Sequence, residues 1–97
     1  MSDGKTKHEI LSAIDTGKFV FQPKDITDLE KVIDFQVEVN VIKHIEQEGL
    51  AKVDEYHLSK NFPLHSPRPV DKILVENLTI AGEEELGRLN SLKQMMK

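Results

Sequence analysis

Apolar positions fall in short blocks along this chain, and the change of spacing from block to block marks the elements. Ile10, Leu11 and Ile14 recur at helical spacing. Thr6 and Glu9 precede them with the three-residue offset of a capping box, so a helix is predicted to start near Lys7. Gly17 supplies its stop. Phe19-Val20-Phe21 is a β-prone run closed by Pro23. Thr27 and Glu30 repeat the capping-box offset, and the helix they open is expected to bury Leu29, Val32 and Ile33. Residues 36–48 read as helical, with Val37, Val41, Ile42 and Ile45 on one broad inward face at about 100° per residue. A break between Asp34 and Gln36 would make two helices here. With no glycine or proline to mark it, a single helix from Asp28 to Glu48 is the alternative. Gly49 ends the stretch.

Beyond Gly49 the pattern becomes that of a hairpin. Leu50-Ala51-Lys52-Val53 is expected to form one strand, and Ile73, Val75 and Leu78 a returning one. Between them Pro63, Pro67 and Pro69 prevent regular structure and leave a long tip. Thr79 is the expected N-cap of a last helix. Glu83, Glu84 and Glu85 in its first turns, and Lys93 and Lys97 near its end, suit the helix dipole. Leu86, Leu89, Leu92 and Met96 give that helix one apolar stripe. The predicted order is helix, short strand, helix, helix, hairpin, helix: an α+β fold in one domain, residues 1–97, with its core at about 7–92.

Charge changes this picture more than composition does. The 97 residues suffice for one modest core. The absence of cysteine excludes disulfides and thiolate metal sites. No apolar run approaches the roughly 20 residues of a membrane helix, and residues 1–7 are polar, so no membrane association and a cytoplasmic location are expected. The net charge is −4. Residues 25–48 hold seven acids against Lys31 and Lys43, whereas residues 57–72 set Lys60, Arg68 and Lys72 against Asp71, with His57 and His65 nearby. An acidic helical segment therefore precedes a basic loop.

Two stretches carry a family resemblance. Ile42-Lys43-His44-Ile45-Glu46-Gln47-Glu48-Gly49-Leu50 looks like the end of a recognition helix running into a first wing strand. Leu78-Thr79-Ile80-Ala81-Gly82-Glu83-Glu84-Glu85-Leu86 looks like a second wing strand turning into a C-terminal helix, in an LT-x-x-G-x-x-x-L pattern. In these and in length the chain resembles the small YjcQ-like bacterial winged-helix proteins and, more distantly, MarR-type regulators. The resemblance implies a winged helix-turn-helix with three helices, a β-hairpin wing and a C-terminal helix. It also implies double-stranded DNA as partner and transcription regulation as role. The acidic helices depart from the DNA-binding pattern.

If helix 36–48 turns its valines and isoleucines inward as above, its outer face carries Gln36, Val39, Asn40, Lys43 and Gln47 within about 100° of arc. Amides can pair with adenine, lysine with guanine, and valine can touch a thymine methyl. Lys60, Arg68 and Lys72 would contact phosphates from the wing. A homodimer could pair through Leu86, Leu89, Leu92 and Met96, although that stripe equally suits core. The competing expectation is a winged-helix module that meets protein rather than DNA, through Val39 and Phe35 or through an extended Pro67-Arg68-Pro69 segment. Sparse cations and the acidic balance favour it. No phosphate-cradling glycine loop or nucleophile turn is present, and no two of His8, His44, His57 and His65 have zinc-pair spacing. His44, beside the apolar face, is expected to be half-buried. No enzymatic activity, cofactor or metal is expected.

Overall fold

The structure, a computed structural model, describes residues 6–62 and 68–95, with side chains described as far as Leu92. It is α+β, with three helices and a three-stranded antiparallel sheet. The order is α1 (Lys7–Asp15), β1 (Val20–Phe21), α2 (Leu29–Gln47), β2 (Ala51–Leu58), β3 (Val70–Leu78) and α3 (Ile80–Met95). The sheet runs β1-β3-β2, so the hairpin's second strand is central. Pro63, His65, Pro67, Met96 and Lys97 lie outside the described residues, as does the Lys93 side chain.

Both ends of α1 form for the reasons its sequence suggests. The Thr6 side chain accepts the Glu9 N–H, and the Glu9 carboxylate accepts the Thr6 N–H. At the other end Gly17 takes φ +103°, its N–H reaching the Ile14 carbonyl while the Lys18 N–H reaches that of Ala13. This pair of bonds satisfies two orphan carbonyls of the last turn.

The second helix differs from expectation at its start, its middle and its phase. Asp28, not Thr27, is the N-cap, and its carboxylate accepts the Glu30 N–H at 3.0 Å. Thr27 is instead held by Asp25, whose Oδ1 accepts both its N–H (2.8 Å) and its hydroxyl (2.6 Å). Those two bonds favour the ionised carboxylate and draw the Asp25 pKa below its ordinary value, the hydroxyl having the larger effect. No break occurs near Asp34: α2 is one helix of 19 residues, so the supporting helix and turn of a helix-turn-helix do not precede it as separate elements. Its buried residues are Val32, Phe35, Val39, Ile42 and Ile45, a stripe advancing by three or four residues throughout. Leu29, Ile33 and Val37, expected inside, are about two-fifths exposed, and Val41 is half-buried.

The end of α2 is a tight junction. Gly49 takes φ +74°, its N–H bonding the Glu46 carbonyl while the Leu50 N–H bonds that of Ile45. The chain then enters β2. Where β3 returns beside it, the Thr79 N–H bonds the Leu50 carbonyl at 3.0 Å and the Thr79 hydroxyl bonds the Gly49 carbonyl at 2.6 Å. The same hydroxyl oxygen accepts the Gly82 N–H at 3.0 Å and so caps α3. Gly82 lies directly over this crossing, where a Cβ would stand 1.8 Å from the Leu50 carbonyl oxygen. Leu86, one turn on, is buried, and Leu89 packs partly against the core. Leu92 is exposed, so of the three described residues of the predicted α3 stripe two pack on the core.

Charged side chains fasten α1 across the same end. The Lys7 ammonium reaches Glu48 at 2.9 Å and Glu85 at 3.1 Å, and Arg88 grips Glu85 with two nitrogens at 2.7 and 2.8 Å. Arg88 first, and then Lys7, hold the Glu85 carboxyl down at about 2 from an ordinary 4.5.

The two α3 glycines predict opposite effects of the same substitution. Gly82→Ala drives a methyl into backbone and should cost about 3 kcal/mol or more, at the upper end for overpacking. Gly87→Ala meets nothing within 4 Å. It should stabilise by roughly 0.5–1 kcal/mol through helix propensity. Urea unfolding of both variants checks the pair. The Glu85 carboxylate predicts a pH dependence. Being ionised down to about pH 2 when folded but only to about 4.5 when unfolded, it contributes stability that is complete above 4.5 and is lost as pH falls through that window. Unfolding midpoints measured from pH 5 to pH 2 should fall less steeply in Glu85→Gln than in the parent.

Candidate functional site

The predicted recognition face is divided by the phase of α2. Val39 is only 2% exposed and belongs to the core. Gln36 is also turned toward the fold. Its amide nitrogen donates to the Val32 carbonyl at 2.8 Å and to the Val70 carbonyl at 2.7 Å, while its amide oxygen accepts the Val70 N–H at 3.1 Å. Gln36 therefore pairs with the first residue of β3 as a neighbouring strand would, and has no amide N–H left to donate to a base edge. Phe35, a candidate interface residue, is buried as well. Both departures share one cause: Val32 and Phe35 set the inward stripe, and 36 and 39 fall on or beside it.

Asn40, Lys43 and Gln47 are exposed, as predicted, and follow one line along α2 at i, i+3 and i+7. The Lys43 ammonium lies 5.8 Å from the Tyr56 ring centroid, within reach of a weak cation–π attraction. The Tyr56 hydroxyl donates to Glu46 at 3.0 Å. Burial, reinforced by that acceptor, raises the Tyr56 pKa well above its ordinary value. His44 is exposed rather than half-buried, with Nδ1 2.8 Å from the Asn40 carbonyl.

The basic loop is smaller than the sequence suggests. Lys60 and Arg68 are exposed beyond the two strand ends, but Lys72 lies within β3, half-buried and paired in register with His57. His57 Nδ1 is 2.9 Å from Oδ1 of Asp71, whose residue is 5% exposed, across an irregularity in the ladder. The hairpin's far end is tied down. The Ser59 N–H bonds the Pro69 carbonyl at 2.8 Å, and the Asn61 side chain donates to the Ile26 carbonyl at 2.9 Å. Since Val70 is bonded to Gln36, this end lies beside the first half of α2. Lys43 is about 10 Å further along the helix axis. The loop cations and the exposed amides are thus offset.

A feature the sequence reading missed occupies the outer side of α2. Leu29, Ile33 and Val37 are 38, 40 and 43% exposed, one helical turn apart, and Ile26 before them is 42% exposed. Leu29, Ile33 and Val37 form a continuous apolar ridge opposite the buried stripe. The signal was present as an i, i+4, i+8 series, but it competes with the series from Val32 to Ile45. Among the described residues, no three His, Asp or Glu side chains converge as metal ligands, and no helix is long and apolar enough to cross a membrane.

Gln36 offers a direct check on its assignment. Gln36→Leu strands the Val70 N–H and carbonyl and should cost about 2 kcal/mol, whereas Asn40→Ala on the exposed line should stay within about 0.5 kcal/mol. Urea unfolding separates the two.

No known protein family, curated protein or solved structure matches the chain.

Proposed function

We propose that the chain is a winged-helix-like protein-interaction module, cytoplasmic and without catalysis, which meets its partner through the outer side of α2. The single observation that carries this reading is the exposed ridge of Leu29, Ile33 and Val37 on a helix whose opposite side already fills the core. A helix apolar on two sides is normally covered on both. The loss of Gln36 and Val39 to the interior supports the same reading, because it takes two of five side chains from the face suited to DNA. The order of elements around the hairpin, and the Thr79 to Gly82 cap, support kinship with YjcQ-like winged helices.

A second reading, DNA binding as a small regulator, is favoured by the exposed line of Asn40, Lys43 and Gln47 together with Lys60 and Arg68. It requires phosphate contacts from few cations on a chain of net charge −4.

Two measurements separate the readings. A photo-crosslinking residue at position 33 or 37, introduced in cells, should yield protein adducts that are absent when it stands at the exposed position 76. Anisotropy titration of a labelled 20-base-pair duplex at low salt should show no saturable binding tighter than about 100 μM. Tight binding whose salt slope shrinks in Lys43→Ala and Arg68→Ala, with no adducts at 33 or 37, would reverse the order of the two proposals.

A further inference from the structure

Resting on the protein-interaction reading, we propose that the ridge of Leu29, Ile33 and Val37 docks a basic amphipathic helix of the partner. The ridge supplies the apolar half of the match. From Leu29 to Val37 it extends about 12 Å along the axis, at 1.5 Å per residue. That length takes an i, i+3/i+4, i+7 stripe of another helix, whose span is nearly equal. Ile26, two residues before the N-cap Asp28, is exposed as well.

Charge supplies the other half and selects among occupants. Glu30 and Asp34 stand three residues before Ile33 and Val37, which places them beside the ridge on the helix surface. On its other side the corresponding neighbours are the uncharged Gln36 and Asn40. Asp25 and Asp28, both exposed, lie at its N-terminal end. The one lysine of residues 25–38, Lys31, sits about 160° round the helix from Ile33. Residues 25–38 thus carry five acids and one base, a net charge of −4. A partner helix with Lys or Arg along the edge of its apolar stripe meets this flank with opposite charge. A second copy of the chain brings the same acids. A nucleic acid or an anionic membrane brings phosphates to the same flank. Electrostatic complementarity of this kind governs partner choice and association rate more than raw affinity.

The test uses the full chain, isotopically labelled for amide NMR, and two 16-residue probe peptides. One is a leucine–lysine amphipathic helix former, and the other is its leucine–glutamate counterpart. The leucine–lysine peptide should shift amides of residues 26–38 saturably, with the leucine–glutamate peptide at least tenfold weaker. Glu30→Lys with Asp34→Lys should weaken the leucine–lysine peptide about tenfold and narrow that preference. Ile33→Asp should abolish the shifts, and the milder Val37→Ser should weaken them, each judged only where the amide spectrum stays dispersed as in the parent. Shifts centred elsewhere, equal binding of the two peptides, or indifference to the charge reversal would overturn the proposal. If protein adducts still form at positions 33 and 37, any of those results removes the partner chemistry alone and leaves the interaction reading standing. If the adducts are absent too, both fail.

Discussion

The whole arrangement turns on one crossing of backbones, where Gly82 lies against the Leu50 carbonyl. Three constraints converge there. α2 must stop and reverse, which Gly49 achieves at φ +74° with two carbonyls of the last turn satisfied. β3 must return in register beside β2, and the Thr79 N–H fixes it on the Leu50 carbonyl. α3 must start at once, and the Thr79 hydroxyl both caps it and bonds the Gly49 carbonyl. One threonine thus ties the end of a helix, the base of a hairpin and the start of another helix. A side chain at position 82 would separate them, and Leu86, one turn on, would lose its place in the core. A threonine immediately before the helix and a glycine three residues after that threonine are therefore a packing requirement, whatever the fold is used for.

From that junction α2 and β2 lie side by side with antiparallel chain directions, which determines what α2 can present. One side of the helix faces the core with Val32, Phe35, Val39, Ile42 and Ile45. Next to it, Gln36 serves the peptide of Val70 with both ends of its amide and joins helix to sheet at the far end of the hairpin. Asn61, bonded to the Ile26 carbonyl, closes the same end from the loop. The described strand ends of the hairpin are consequently fastened to α2 and its approach as well as at the base. What α2 has left is its outer side, and there the apolar ridge, not a row of cations, is the dominant chemistry.

The parts of this fold written in local chemistry were legible from the sequence. Thr6 with Glu9, Gly17, Gly49 and Thr79 all act where their types and spacing put them, because capping and left-handed turns depend on a few neighbouring residues. Thr27 misled, since its offset from Glu30 suits a capping box, yet Asp25 two residues back is a stronger acceptor and Asp28 takes the cap. The phase of α2 was lost for a different reason. The helix carries two apolar series, 29-33-37 and 32-35-39-42-45, and residues 36–48 taken alone favour Val37 and Val41 as the inner face. Only when Val32 and Phe35 are counted in the same continuous helix does the second series prevail. A supposed break near Asp34 discarded that information. Of the candidate face, Asn40, Lys43 and Gln47 stay exposed because they lie away from the buried series; Val39 belongs to it and Gln36 borders it.

The same residues that confused the phase also limit the possible partners. A ridge such as Leu29, Ile33 and Val37 costs solubility, and isolated surface apolar residues would need no explanation. A continuous series of three is harder to reconcile with bare solvent exposure, particularly on a helix that already contributes five residues to the interior. The charges next to it are not neutral on the question either. Were this side made for phosphates, Glu30 and Asp34 would oppose the approach, and Lys31, a single cation beside Asp34 at i, i+3, would offset only one of the two. Acids beside an apolar ridge disfavour polyanions and favour an apolar surface edged with cations, so under the proposed reading the one segment 25–38 would both offer the contact and select against nucleic acid.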